Sequence, residues 1–156
     1  MGRFQILVTV DRPLAAVFAV YTDTDKWRWC SYILDARWVR GEPWVEESRI
    51  RIHTDGAIGS TVDQVLTAYE PNRRVDYISH FSGITLETRV TFRALSDQQT
   101  EIRGEMEFVG TLSRIVGFAI EPAIERSTLQ FFEDLKRECE RGEPVEDLLR
   151  TVTGKI

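Results

Sequence analysis

"GFAIEPAIERSTLQFFEDLKRECE", residues Gly117–Glu140, is the stretch on which the reading of the whole chain turns. Ile120, Ile124, Phe131 and Leu135, with Cys139 at the end, recur at the spacing of an amphipathic helix. Two details depart from a helix lying flat on a solid core. Pro122 interrupts the apolar pattern, marking a kink or a fresh start after "LSRIVGFAI". Ser127 and Thr128 lie on or beside the apolar stripe, where Leu or Ile would fill a packed interior. Small hydroxylated residues at mid-helix predict a roof over a cavity. Residues 120–131 then line it, and Leu135 and Cys139 close its far end. Counted from Pro122 to Arg141, the helix is about 30 Å long at 1.5 Å per residue.

Upstream, the apolar period is two over most of the chain. "FQILVTV" (4–10) reads as a strand, after which "TVDRPLAAVFAVYTD" switches to helix. Asp11 is the expected N-cap, Pro13 sits in the first turn, and Leu14, Val17, Phe18 and Tyr21 form the apolar face. "DTDKWRWC" reads as a second short helix capped by Asp23 or Thr24. Five or six antiparallel strands follow, punctuated by Gly41, Pro43 and the Pro71-Asn72 turn. Alternation turns Leu34 and Trp38 inward on the first of them, then Ile50 and Ile52. Val62, Gln64 and Leu66 follow, and then Ile84, Leu86, Thr88, Val90 and Phe92. Ile102, Gly104, Met106 and Phe108 take the inner face of the last. Arg and Glu rows occupy the opposite, solvated face. A sheet with one wet face must cover the other, and only the long helix near the C-terminus reaches across it. Because twisted sheets curl, space remains between sheet and helix.

The 156 residues are 42% hydrophobic, 29% charged and 10% aromatic, which is the composition of one globular domain. We place that domain at 1–141 and a separate tail, "GEPVEDLLRTVTGKI", at 142–156. A net charge of −5 with interleaved acids and bases argues against a nucleic-acid binder. The N-terminal apolar run is too short for a signal peptide or a membrane span, so a cytoplasmic protein without stable membrane insertion is expected. Cys30 and Cys139 form no CxxC and accompany two histidines, which reads as free thiols and no metal site.

Three phrases resemble the START/polyketide cyclase-dehydrase (SRPBCC) helix-grip superfamily. "VDRPLAAVFAVYTDTDKWRWC" is similar to its first strand and paired helices, "YEPNRRVDYISHF" to its Pro-Arg-Arg hairpin, and "GTLSRIVGFAIEPAIERSTLQFFEDLKRECE" to its closing helix. The resemblance covers residues 3–141. It implies an α+β helix-grip fold: a curved antiparallel β-sheet wrapped around a long C-terminal α-helix, with two short helices after the first strand. It also implies a cavity for a hydrophobic small molecule such as a polyketide, lipid or quinone. A cofactor-free polyketide cyclase, aromatase or dehydratase is the alternative, although the Trp-x-Ser-x-Arg strand pattern of one aromatase branch is missing. A protein-interaction module is the second alternative, and a homodimer is compatible with any of these.

The expected ligand contacts are Trp29, Trp38, Ile50, Ile52, Gln64 and Leu66 from the first half of the chain. Tyr77, Ser79, Leu86, Thr88, Val90, Met106 and Phe108 come from the later strands, and Ile120, Ile124, Ser127, Thr128 and Phe131 from the helix. Gln64 inward is a polar group that needs a partner when buried. His80, Tyr77 and Gln64 are the candidate catalytic groups. His80 has two registers: with Tyr77, Ser79 and Phe81 inward it faces out, and in the opposite register it lines the cavity. The first is favoured because it buries more aromatic area. His53, counted from Ile52, points away from the core. There is no nucleophile–base pair, HExxH, phosphate loop or carboxylate dyad, so chemistry here would rest on shape and a few polar groups.

Overall fold

Phe4, Ile6 and Val10 are buried on strand β1 (Arg3–Val10), while Arg3, Gln5 and Leu7 face solvent. The same alternation builds the rest of the sheet in the computed structural model, which describes residues 3–55 and 61–141. After β1 come α1 (Leu14–Thr22) and a short 3-10 helix (Thr24–Trp29). Six strands follow: β2 (Ile33–Arg40), β3 (Arg49–Thr54), β4 (Thr61–Glu70), β5 (Arg74–Phe81), β6 (Ile84–Ser96) and β7 (Gln99–Phe108). Helix α2 (Thr111–Arg141) closes the fold. All neighbours are antiparallel, in the order β1-β7-β6-β5-β4-β3-β2. This is the α+β helix-grip arrangement. The tail at 142–156 lies outside the described residues.

Three expectations are corrected. Asp11 does not cap α1: its carboxylate accepts a hydrogen bond from Gln99 Nε2 at 2.9 Å, and extended Pro13 precedes the first helical residue. Leu34 does not face inward. A register shift between Ile33 and Asp35 puts the extra residue outside, so Ile33 is buried instead, while Ala36 and Trp38 resume the inner face. A second shift, between Leu66 and Ala68, turns Tyr69 inward against Phe18. Bulges of this kind bend the strand and break a strict count by two.

The third correction is Pro122, which neither ends nor restarts the helix. Helix α2 runs unbroken for 31 residues through it. Pro122 is exposed, so the Phe118 carbonyl that loses its N–H partner lies on the side where water can serve. The turns before Pro122 are therefore part of the same continuous helix. Gly117 explains how they approach the sheet: a Cβ there would fall 2.6 Å from Phe108 Cδ1. Only a glycine lets this turn rest on the Phe108 ring.

Helix α2 is fastened along its length. Ser113 Oγ accepts from the Thr85 backbone N–H at 3.0 Å, and Tyr32 donates its hydroxyl proton to the Ser127 carbonyl at 3.0 Å. Asp134 accepts from the Ser31 backbone N–H at 2.8 Å, and Lys136 Nζ reaches the Thr9 carbonyl. Beneath the helix the apolar interior divides in two. The larger cluster joins α1, α2 and strands β1 and β4–β7, and the smaller gathers Trp27, Cys30, Ile33, Ile50 and Ile52. Val62, Trp29, Trp44 and Phe131 pack against both.

Candidate functional site

The seam between these two clusters is hollow. A cavity of about 120 Å³ lies between α2 and the inner face of the sheet. Ile33, Ile52 and Trp27 bound it on the side of the smaller cluster, with Leu86, Met106 and Phe81 opposite. Ile124, Ser127, Thr128, Phe131 and Phe132 form the roof, and Val62, Gln64, Tyr77, Ser79 and Thr88 stand on the floor. Tyr21, Tyr32 and Thr54 complete the wall.

The roof hydroxyls are arranged differently from one another. Thr128 Oγ1 donates to the Ile124 carbonyl at 2.8 Å. The Ser127 hydroxyl and the Gln64 carboxamide have no hydrogen-bond partner among the described residues, which leaves both for an occupant. Phe131 meets Trp27 edge-on at 5.7 Å and Phe132 at 5.4 Å, and its ring stands between the space and Trp29.

Among the described residues, no Asp, Glu, His, Lys or Arg side chain lines this wall. Its ionisable groups are three tyrosines, and burial raises the pKa of each. Tyr77 is pushed up to about 12, held there by opposing contacts with the Thr88 and Tyr21 hydroxyls. Tyr21 lies well above its ordinary value through burial and then through Tyr77. Tyr32 is raised by burial first and by the neighbouring Cys30 next. At neutral pH all three are phenols that donate hydrogen bonds, and none is a base.

The expected contacts divide cleanly. Ile52, Gln64, Tyr77, Ser79, Leu86, Thr88, Met106, Ile124, Ser127, Thr128 and Phe131 meet at the cavity. Trp38, Ile50 and Leu66 do not reach it; with Trp44 they enclose a much smaller gap behind Tyr77 and Gln64. Trp29 stands 5.1 Å behind Phe131. Val90 and Phe108 are buried in solid core, because β6 and β7 lie under α1 and Gly117 there. Ile120 is half-buried on α2, beyond the cavity's end. His80 is on the outer face, where its Nδ1 lies 3.3 Å from Thr85 Oγ1, so it has no access to an occupant. His53 is likewise outside, 2.7 Å from Asp35.

Sequence reading missed Tyr21, Trp27, Tyr32, Ile33, Thr54, Val62, Phe81 and Phe132. For several the signal existed. Thr54 continues Ile50 and Ile52 by twos, Phe81 continues Tyr77 and Ser79, and Phe132 continues Ile124 and Thr128 by fours. Tyr32 and Ile33 carried no such signal, because the bulge at Leu34 removes the phase.

With the geometry in view, comparison with known proteins is informative. The profile of the family described as polyketide cyclase/dehydrase and lipid transport matches residues 1–140. The chain belongs to that family. No curated protein sequence matches it. Among solved structures it is similar to an aromatase/cyclase, ZhuI, from Streptomyces sp. R1128, at TM-score 0.75 and 16% identity. That likeness covers 89% of this chain and 93% of the other. Ara h 8.0201 gives TM-score 0.73 and 14% identity over 90% and 98% of the two chains. The di-domain aromatase/cyclase StfQ from the steffimycin pathway gives 0.71 and 17%, over 88% of this chain but 45% of its own. At such identities the likeness is one of fold.

Proposed function

We propose that this polyketide cyclase/lipid transport family member binds a neutral, hydrophobic small molecule bearing hydrogen-bond acceptors, held between the sheet and α2. One observation carries the reading: the cavity wall is apolar and hydroxyl-bearing, with no charged side chain among the described residues. A carboxylate ligand entering it would lose its water without meeting a cation, at a penalty of several kcal/mol. A carbonyl or phenol would instead meet the tyrosine and Ser127 hydroxyls and the Gln64 amide. Size narrows the class. At about 120 Å³ the space is near the roughly 150 Å³ that accepts a benzene ring and below the roughly 300 Å³ of usual ligand pockets. A single ring fits as the wall stands. A polyketide- or lipid-sized ligand requires Phe131 to move out from between Trp27 and Trp29.

Calorimetry and thermal shift with a graded set test this: a phenol, a naphthol, a naphthoquinone and a straight-chain fatty acid at neutral pH. Neutral rings should bind at least tenfold tighter than the fatty acid, and Ser127→Phe, which fills the cavity, should abolish binding. Preference for the fatty acid, or ring binding unaffected by Ser127→Phe, would refute the reading. Cyclase activity on the same ligand is the second reading, favoured by Tyr77 and Gln64 as two donors able to polarise one carbonyl. The wall offers no group to accept a proton at neutral pH, which places binding ahead of catalysis.

A further inference from the structure

The first half of α2 is apolar on both sides. Its inner side rests on the sheet through Ser113 and Gly117. Its outer side carries Leu112, Ile115, Val116 and Ala119 at i, i+3, i+4 and i+7, followed by Pro122, with Phe118 at the margin. These are not incidental exposures: Leu112 is 68% exposed, Ile115 67% and Phe118 72%. The second half of the same helix shows what a solvated outer face looks like in this protein. There the corresponding positions are Arg126, Gln130, Glu133 and Arg137. The change falls at Pro122. Only Arg114 and Glu121 are charged in this stretch, and a helix that carries apolar residues on opposite sides has two faces to cover.

We infer that a second copy of this chain covers it, the two α2 segments packing antiparallel about a twofold axis near Ile115 and Val116. Residues of this size expose roughly 150–200 Å² each when fully open. With Val109 beside them, the patch amounts to on the order of 500 Å² per copy, in the upper part of the roughly 300–600 Å² range of a monomer's largest apolar patch, which is often functional. Two such patches bury about 1,000 Å², the lower bound for a specific interface. The charged residues of this stretch, Arg114 and Glu121, lie off the stripe, and Arg114 turns back to the Phe108 carbonyl and Glu107, so a self-complementary pairing places its apolar residues together without opposing like charges.

Sedimentation velocity of the full chain from about 1 to 200 µM tests this. The expected species at high concentration has twice the 18.0 kDa mass. Leu112→Glu and Phe118→Glu should each weaken the dimer at least tenfold with an unchanged thermal midpoint, whereas Leu129→Glu, on the second half, should not. Oxidation gives a readout independent of those variants. Both native cysteines are buried, so Ile115→Cys should cross-link two copies and Leu129→Cys should not. A monomer at 200 µM, or a dimer indifferent to both stripe substitutions, overturns the inference. So does vesicle binding by the wild type that Phe118→Glu abolishes, since the face then serves lipid.

Discussion

Asp134 is the one charged residue among the buried positions described, and its side chain has no exposed surface. Burial works to raise its pKa. The Ser31 backbone N–H at 2.8 Å, Gln130 Nε2 at 2.8 Å and the Arg137 guanidinium outweigh that and hold it below the usual carboxylate value. The sign of the pH effect follows. A carboxyl whose folded pKa is depressed contributes stability above its unfolded value, near 4, and loses it as pH falls through the folded one. Asp134→Asn keeps the shape but turns a carboxylate acceptor into a weaker neutral one, and about 1–3 kcal/mol should be lost at pH 7. Urea unfolding of both proteins at pH 7 and pH 3 checks it: the gap should narrow in acid. A gap independent of pH would show that the carboxylate charge is not what ties α2 to the segment before β2.

At the scale of elements, the sharpest lesson comes from Pro122. Read as a sequence, it is a break; in the fold, its ring lies outside and the helix continues. A proline in a helix interior costs up to about 3 kcal/mol relative to alanine. Pro122→Ala should therefore stabilise the protein by about 1–3 kcal/mol, read as a higher urea midpoint with an unchanged m-value. A lower midpoint would mean that the proline is itself packed against something. The strands were legible because one face of the sheet is wet: Arg49 and Arg51 against Ile50 and Ile52, or Glu105 and Glu107 against Met106 and Phe108, leave one choice of face. That logic leaves His80 two registers, because β5 lacks such a row of charges; the fold takes the one favoured for its aromatic area, with His80 outside and Tyr77, Ser79 and Phe81 inside. The same logic fails at Leu34 and Thr67, where one inserted residue shifts the phase and no residue type announces it. Of the missed cavity wall, Tyr32 and Ile33 lie beside the first of those points and Trp27 on the 3-10 helix, where a period of two or 3.6 does not hold; Tyr21 was legible as core on α1 but not as part of a cavity.

For the molecule as a whole, the distribution of charge is what matters. Ion pairs such as Arg51–Asp63 and Arg74–Asp76 cover the outer face of the sheet, and the cavity inside has none. Its phenols ionise far above neutrality, with Tyr77 at about 12. A pKa raised in this way leaves the donor protonated at every lower pH. Affinity for a neutral ring should accordingly be constant within about twofold from pH 6 to pH 9. Calorimetry across that range checks it, and a titration step near pH 6.5 would require an imidazole at the site that the fold places outside. The aromatic side chains have a further consequence. Trp38 and Trp44 pack at 5.1 Å, Trp44 lies on Tyr69 at 5.5 Å, and Trp27 and Trp29 flank Phe131. These are all four tryptophans of the chain: Trp27 is on the wall of the hollow, Trp29 stands one side chain behind it at Phe131, and Trp38 and Trp44 stand behind Gln64 and Tyr77. The protein's ultraviolet emission therefore originates almost entirely beside the space an occupant would enter, so the molecule carries a built-in optical gauge of its own filling.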